Sequence, residues 1–357
     1  MDLSCSINGI KLANPLMPAS GPLVGDYEKM KILEEFGVGA MVSKTISTKE
    51  ANVPRPCIYG TNNYIMNCEL WSEYGPDKWI SDILPKYKNE SNIPLIISLG
   101  YSKEDMEYLV PLLDKYADAF EISTHYVGKD LSIIGQTVKT IGENTNKPFY
   151  MKLSPHMPDP IAFCKVVKEN GGNGVVATNS LGPTMAIDLE TRSVKIGNDD
   201  GIVWSSGPAI KPISLALVNI VKEAMEDFTV IGVGGIKTAE DVLEFLLAGA
   251  DAVQMLSSAL IYGKDLYKKI IEDLPRVLKK YGFKSVEEVI AIKLNKGNIS
   301  FEPIFPKFDN RRCTKCGLCS NICPYLAISM NEYPVLNERK CFGCSLCKSR
   351  CPVKAIY

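Results

Sequence analysis

Eight of the twelve cysteines fall within the last 45 residues, in two runs that have the same spacing. Each run reads Cys-x2-Cys-x2-Cys-x3-Cys-Pro, and the second begins 28 positions after the first. This spacing is typical of 4Fe-4S ligation, in which three closely spaced thiolates bind one cluster and the fourth binds the neighbouring cluster. We therefore predict two clusters with crossed ligands. The first is expected to be held by Cys313, Cys316, Cys319 and Cys351, and the second by Cys341, Cys344, Cys347 and Cys323.

A structural zinc site is the alternative explanation for clustered cysteines. Tetrahedral zinc takes four ligands, commonly as two pairs, whereas these runs have evenly stepped thiolates followed by proline. The pattern resembles that of the bacterial two-cluster ferredoxins. The remaining cysteines are isolated, and we expect each to be a small buried apolar residue: Cys5, Cys57, Cys68 and Cys164.

Composition narrows the class of function. The 357 residues include 40 basic and 41 acidic side chains, a net charge of −1, which does not favour a nucleic acid partner. A small-molecule substrate is therefore expected. No stretch approaches the roughly 18 consecutive apolar residues of a membrane span, and no signal peptide is recognisable. We expect a cytoplasmic protein without a membrane partner.

Upstream of the cysteine runs, short apolar segments alternate with amphipathic ones, a pattern typical of parallel strands joined by helices. Eight strands in sequence favour an α/β fold of the TIM (β/α)8 barrel type. An open doubly wound sheet is the alternative, but its glycine fingerprint is missing after the first strand. The predicted strands are Pro15–Ala19, Ala40–Lys44, Leu95–Leu99, Ala119–Thr124, Phe149–Leu153, Gly174–Asn179, Thr229–Gly232 and Ala252–Leu256.

Domain boundaries follow from the same pattern. We predict a barrel over residues 1–294, a linker over 295–310 that carries prolines and no clear period, and a ferredoxin-like domain over 311–357. The clearest predicted helices are Glu28–Phe36, Pro160–Glu169, Pro212–Met225, Ala239–Ala248, Leu266–Tyr281 and Ser285–Leu294.

A barrel builds its site from the loops at the carboxyl ends of its strands. Lys44, His125, Lys152 and the pair Asn179-Ser180 all fall at or just past predicted strand ends, as does His156. After the last two strands, two further segments offer backbone amides and hydroxyls that suit a cofactor phosphate: Gly232 to Ile236, and Ser257-Ser258.

Six motifs, in order and spread over the barrel, resemble the dihydroorotate dehydrogenase family. They are Ala19-Ser20-Gly21, Ser43-Lys44-Thr45, Met151-Lys152-Leu153-Ser154, Thr178-Asn179-Ser180, Ile210-Lys211-Pro212 and Gly234-Gly235-Ile236. A barrel joined to a two-cluster domain is similar to a subset of that family, dihydropyrimidine dehydrogenase and its bacterial catalytic subunit. Within that subset, Asn67-Cys68-Glu69-Leu70 looks like the segment that contacts the pyrimidine.

The resemblance implies FMN across the barrel mouth and a pyrimidine-type substrate above it. Lys152 would stabilise the negative charge of the reduced flavin, and it could at the same time pair with Glu121 on the neighbouring strand. The implied FMN contacts are Ala19, Ser20, Lys44, Lys152, Asn179, Gly234, Gly235, Ser257 and Ser258. The implied substrate contacts are Asn67, Glu69, Glu121, Asn179 and Ser180.

The proton-transfer residue is where the sequence departs from the family. Where the family has cysteine or serine in an Asn-x-Ser-Cys-Pro segment, this chain reads Glu121-Ile122-Ser123-Thr124-His125-Tyr126. Thr124 is a poor acid, and His125 and Tyr126 titrate in more useful ranges. All three remain candidates for catalysis.

We expect an FMN-dependent oxidoreductase that acts on the CH–CH or C=C bond of a pyrimidine-type ring. The two carboxylates Glu69 and Glu121 favour a neutral ring over dihydroorotate, whose oxidation in pyrimidine biosynthesis is the alternative. Another alternative is an electron-carrying subunit with an idle barrel. Electrons would pass to or from an NAD(P)H-dependent flavin subunit or a ferredoxin, and a homo- or hetero-oligomer is left open. An RNA-modifying flavin barrel lacks support, because no large basic cluster is present.

Overall fold

The structure is a computed structural model that describes residues 1–197, 200–297 and 301–357. Its contacts divide the chain into two units, Met1–Leu294 and Asn295–Tyr357, and the division falls at the predicted start of the linker.

Eight parallel strands form the core of the first unit; the second to the eighth pair in sequence order, and the eighth pairs with the first. The first and second strands do not pair directly, but the Gly39 amide donates to the carbonyl of Leu16 across this seam at 2.9 Å, so the barrel is nearly closed. The strands are β1 (Leu16–Pro18), β2 (Met41–Val42), β3 (Leu95–Leu99), β4 (Ala119–Ile122), β5 (Phe149–Leu153), β6 (Gly174–Ala177), β7 (Thr229–Val233) and β8 (Ala252–Met255).

Amphipathic helices follow the strands and cover the outside of the barrel. Their starts are capped locally: the Ser102 side chain accepts from the Asp105 amide in a capping box, and Thr238 does the same with Asp241. The helices are α1 (Tyr27–Glu35), α2 (Leu84–Glu90), α3 (Lys103–Leu113), α4 (Ser132–Asn144), α5 (Pro160–Glu169), α6 (Lys211–Ala224), α7 (Ala239–Leu247) and α8 (Leu266–Lys280). Shorter helical segments lie at Pro22–Val24, Pro76–Lys78, Trp79–Ile83, Pro208–Ile210, Ser257–Tyr262 and Val286–Ile290.

All eight predicted strands are present, so the prediction of a barrel is confirmed. Most of them end one or two residues before the predicted limit, which places Lys44, Thr124 and Asn179 in loops. The last predicted helix is also shorter, since it ends at Ile290.

The sequence did not predict a second sheet, of four antiparallel strands. Its members come from two loops more than 100 positions apart, so no local pattern announces their pairing. They are Leu181–Thr184, Val203–Ser206, Ile65–Asn67 and Ile58–Gly60, in spatial order. This sheet carries Asn67 and Trp204 to the site described below. Two-stranded hairpins add Cys5–Ile7 with Ile10–Leu12, and Ile187–Asp188 with Ser193–Val194.

The second unit repeats its backbone as well as its cysteines. Left-handed residues recur with the 28-residue offset, at Lys315 and Gly343 and again at Leu326 and Lys354. Each half has one short helix, Leu318–Asn321 or Leu346–Arg350, and a hairpin joins Ile328–Met330 to Pro334–Leu336.

The linker prediction needs a correction at its far end. Lys307 and Asp309 make backbone hydrogen bonds with Tyr357 and Ala355, so this part of the predicted linker belongs to the second unit. Residues 298–300 of the predicted linker lie outside the described residues. In the three described ranges, no helix is long and apolar enough to cross a membrane.

Candidate active site and cluster sites

A cavity of about 490 Å³ opens at the carboxyl ends of the barrel strands, a size that suits a cofactor together with a small substrate. Loops after most of the strands contribute to its wall. Fourteen of the predicted site residues line it: Ala19, Ser20, Lys44, Asn67, Glu69, Thr124, His125, Lys152, Asn179, Ser180, Gly234, Gly235, Ser257 and Ser258.

One end of the cavity has the features of a phosphate cradle. Gly234 and Gly235 follow β7 with positive φ angles of 116° and 92°, a conformation that side chains other than glycine rarely adopt. A Cβ atom on Gly235 would lie 2.8 Å from the backbone nitrogen of Lys211, so the turn has no room for one. The hydroxyl of Ser258 is buried here without a hydrogen-bond partner among the described residues. A hydroxyl without a partner, together with two glycines in the same cavity wall, fits the phosphate of FMN.

Replacing Gly235 by alanine is therefore expected to abolish FMN retention, because the turn must shift away from Lys211. Flavin released on denaturation of the purified chain measures this. The matched control is Gly142→Ala on α4, where an added Cβ meets nothing within 4 Å and FMN should remain at the wild-type level. Retention of flavin by Gly235→Ala would contradict the cradle.

Lys152 lies in the cavity wall, and its charge is neutralised by Glu121 in the barrel interior. Its ammonium donates to Glu121 Oε1 at 2.8 Å, and Gln254 donates to Glu121 Oε2 at 2.7 Å. Glu121 is fully buried inside the barrel and does not line the cavity. The expected contact between Glu121 and the substrate is corrected accordingly: both carboxylate oxygens are already paired, and Ser123 is the first residue of this segment that reaches the cavity.

The second cation of the cavity, Lys44, is outnumbered by carboxylates. Its buried ammonium lies 3.3 Å from Glu69 and 3.0 Å from Glu73. Desolvation would raise the pKa of Glu73, but hydrogen bonds from its own backbone amide and from Lys44 outweigh it and lower this pKa. An anionic group next to Lys44 would thus approach the carboxylates of Glu69 and Glu73.

His125 lies in an aromatic part of the wall, between Trp71 at 5.1 Å and Trp204 at 6.2 Å between ring centroids. The Asn179 amide donates to His125 Nε2 at 3.2 Å. Desolvation, and after it the positive charge of Lys152, lowers the pKa of His125 to about 4, although the residue as a whole is exposed at the cavity surface. The lowered pKa favours the neutral imidazole, which has a lone pair but is a weaker base than an ordinary histidine.

Stability should accordingly depend on pH through this residue. The folded-state pKa of His125 is below its ordinary value of 6.5, so the unfolded chain binds the proton more tightly. This contribution to stability is present above pH 6.5 and is lost as the pH falls toward 4. Urea unfolding of wild type and His125→Gln is measured between pH 6.5 and 4. The free energy of unfolding should fall less steeply with pH in the variant. Equal pH dependence would contradict the lowered pKa.

The other two candidates for proton transfer differ in position. Thr124 lines the cavity, whereas Tyr126 does not, because its hydroxyl donates to the carbonyl of Asp130. The structure therefore does not place Tyr126 at the site. His156 is also outside the cavity lining, and its Nε2 accepts from the Gly182 amide at 3.2 Å.

Sequence reasoning missed the three large aromatic residues of the wall, Trp71, Tyr101 and Trp204. Trp71 stands two residues after Glu69, so the motif around Asn67 contained a signal for it. Trp204 comes from a strand whose neighbour could not be predicted, and no sequence signal pointed to it.

In the second unit, the eight cysteines surround two small cavities in the predicted crossed sets. One is lined by Cys313, Cys316, Cys319 and Cys351, and the other by Cys323, Cys341, Cys344 and Cys347. The fourth cysteine of each run accepts an amide hydrogen bond on its sulfur, Cys323 from Ala327 at 3.4 Å and Cys351 from Ala355 at 3.2 Å. Such bonds stabilise thiolates that bind iron.

A nearly closed (β/α)8 barrel with a phosphate cradle, joined to paired four-cysteine cavities, defines an iron–sulfur flavoprotein. The chain belongs to the dihydroorotate dehydrogenase family, whose model matches residues 2–278, and a 4Fe-4S dicluster domain matches residues 312–355. It is an oxidoreductase that acts on a CH–CH group, with FMN and 4Fe-4S clusters as cofactors. The predicted family, cofactors and type of reaction are thereby confirmed.

Three relatives illustrate the similarity. The dihydroorotate dehydrogenase B (NAD(+)) catalytic subunit of Geobacter sp. (strain M21) is 33% identical over 303 residues, covering 81% of this chain and 97% of the relative. The same subunit of Pyrococcus abyssi is 31% identical over 82% of this chain and 99% of the relative. Dihydroorotate dehydrogenase A (fumarate) of Lactobacillus helveticus is 31% identical over 81% of this chain and 98% of the relative. Because nearly all of each relative is aligned, none of the three has an unaligned segment as long as the cluster domain.

Proposed function

We propose that the chain interconverts dihydroorotate and orotate and exchanges the electrons with a separate protein through its own clusters. The carrying observation is the cavity, which combines the phosphate cradle with convergent polar side chains in a chain whose relatives are named dihydroorotate dehydrogenases. This proposal replaces the preference for a neutral pyrimidine that the sequence suggested, because the relatives favour the alternative.

The residues of the cavity suit a cyclic amide substrate. Asn67 comes from the antiparallel sheet and Asn179 from the loop after β6, so their side-chain amides reach the cavity from two sides. Amides and the Ser180 hydroxyl match the carbonyl and N–H groups of a pyrimidine ring. FMN, when bound, supplies hydride chemistry at the substrate carbon.

Neutral His125 is the proposed acceptor of the proton that leaves the substrate on oxidation. The lone pair on His125 Nε2 accepts a hydrogen bond from the Asn179 amide, which orients the imidazole. This hydrogen bond must break before Nε2 can take the proton. Thr124 lines the cavity one residue earlier and is the proposed relay. This assignment excludes Tyr126, whose hydroxyl bonds to the backbone of Asp130.

A second candidate substrate is a neutral dihydropyrimidine such as dihydrouracil. The observation in its favour is Lys44, whose charge is already matched by Glu69 and Glu73 and is not available for a substrate carboxylate.

Anaerobic mixing of the purified chain with each substrate distinguishes the candidates. We expect dihydroorotate to bleach the FMN absorption faster than dihydrouracil or dihydrothymine does, and orotate to bind in equilibrium titrations. Faster bleaching by the neutral rings, with no orotate binding, would favour the second candidate. If no ring bleaches the flavin while both clusters are intact, the barrel is idle and the chain is an electron-carrying subunit.

A further inference from the structure

The near-zero net charge of the chain hides an asymmetry between its two units. Residues 295–357 contain ten lysines and arginines but only four acidic residues. The remaining 30 basic and 37 acidic residues belong to the barrel unit, which is therefore acidic. The cluster unit is thus basic at its surface, although the thiolates and clusters within it add negative charge.

The basic side chains beside the second cluster site are exposed and unpaired. Arg339 and Lys340 directly precede Cys341, and Lys348 and Arg350 lie on the short helix that carries Cys347. None of these four makes an ion pair within the described ranges, whereas most of the ion pairs of the chain join side chains of the barrel unit. Glu338, which directly precedes Arg339, is the one acidic residue among their sequence neighbours, so these four basic residues leave a net positive charge.

Apolar side chains form the centre of this surface. Tyr325 and Phe342 stack with ring centroids 4.9 Å apart, and Phe342 is 66% exposed. Both residues, with Leu346, also line the cavity of Cys323, Cys341, Cys344 and Cys347. One layer of side chains therefore separates the second cluster from solvent, and Leu326 beside them is 77% exposed.

The first cluster site presents fewer exposed residues to solvent. Three of the fourteen residues that line its cavity are exposed, Thr314, Cys316 and Pro352, whereas six of the twelve that line the second cavity are exposed. The exposed aromatic residues Tyr325 and Phe342 belong to the second cavity alone, so the second site is the one with an apolar surface in its wall.

We propose that the surface formed by Tyr325, Leu326, Phe342, Arg339 and Lys340 docks a small acidic electron-carrier protein, which exchanges single electrons with the second cluster. An apolar centre with a charged rim is the general anatomy of an interface, and transient electron-transfer complexes need only a small one. Complementary charge speeds the encounter and makes it sensitive to salt. The proposal rests on the proposed function only for the source of the electrons.

The test removes that dependence by reducing the clusters of the full chain chemically with dithionite. After removal of excess reductant, stopped-flow mixing with flavodoxin, an acidic carrier, measures the rate of cluster oxidation at low and high salt. Cytochrome c, a basic carrier, is the probe of opposite charge. We expect electron transfer to flavodoxin to slow markedly with added salt, and transfer to cytochrome c not to do so.

Three variants locate the surface. Arg339→Glu with Lys340→Glu should slow transfer to flavodoxin at low salt by about tenfold or more and flatten its salt dependence. Leu326→Asn should also slow it, and the left-handed backbone at Leu326 tolerates asparagine well. The control is Lys165→Glu with Lys168→Glu on α5, an equal change of charge on the exposed face of a barrel helix, which should leave the rate unchanged.

Cluster absorption must be retained in each variant, which checks folding. Equal slowing by the α5 control would show that net charge alone matters and would overturn the proposal. An unchanged rate of transfer in the Arg339 and Lys340 variant would also overturn it. A third contrary result is a variant that changes only self-association in sedimentation, because the surface would then bind a second copy of this chain.

Discussion

Replacing Cys351 by alanine is expected to remove the first cluster, although Cys351 belongs to the second cysteine run. The structure places it with Cys313, Cys316 and Cys319 around one cavity. About half of the iron should be lost, because each cluster contributes equally and a missing thiolate leaves one corner of a cubane without its ligand. Iron analysis and electron paramagnetic resonance of the reduced chain measure the loss.

A comparison with variants of the other cysteines in each run decides between crossed and uncrossed ligation. The spectrum of Cys351→Ala should match that of Cys316→Ala, and the spectrum of Cys323→Ala should match that of Cys344→Ala. If the spectrum of Cys351→Ala matched that of Cys344→Ala instead, each run would bind its own cluster. The ligand sets inferred from the two cavities would then be wrong.

Replacing Lys152 by methionine should have the largest effect on the stability of the barrel. It leaves the fully buried Glu121 carboxylate with only Gln254 as a partner, and breaking a buried ion pair in this way costs about 3–5 kcal/mol. Urea unfolding followed by tryptophan fluorescence measures it cleanly, since all three tryptophans, Trp71, Trp79 and Trp204, lie in the barrel unit.

Two further variants separate this cause from a general loss of packing. Adding Glu121→Gln to Lys152→Met should restore most of the stability, because the amide removes the uncompensated charge. Lys44→Met should cost less than Lys152→Met, since its partner Glu73 is 39% exposed and stays hydrated. A double variant as unstable as Lys152→Met alone would show that the buried charge is not the cause.

The barrel and the cluster ligands could be predicted because their signals are local. A strand buried on both faces leaves a nearly continuous apolar run such as Leu95–Leu99, which only Ser98 interrupts, and cubane ligation imposes a fixed spacing on its cysteines. The phosphate cradle was also local, since Gly234 and Gly235 need positive φ at a strand end.

The predictions that failed concern side chains whose positions are decided by tertiary contacts. Whether Glu121 faces the substrate or the barrel interior is decided by where β4 ends and by the side chains of Lys152 and Gln254 on other strands. Trp204 reaches the cavity only because Ser205 pairs with Met66, a partner 139 positions away. Tyr126 is withdrawn from the site by a bond within its own loop. The contacts of Glu121 and Trp204 join distant parts of the sequence, whereas the Tyr126 bond spans four positions and depends on a loop conformation that no sequence motif specified.

The crossed cysteine sets also bear on how the chain acquires its iron. The first cubane joins thiolates from both ends of a 39-residue span, Cys313 to Cys351, so the ring that it closes contains more than half of the second unit. During synthesis this site lacks its last ligand until Cys351 has been added. Insertion of the first cluster therefore has to follow the synthesis of the whole barrel unit, Met1–Leu294.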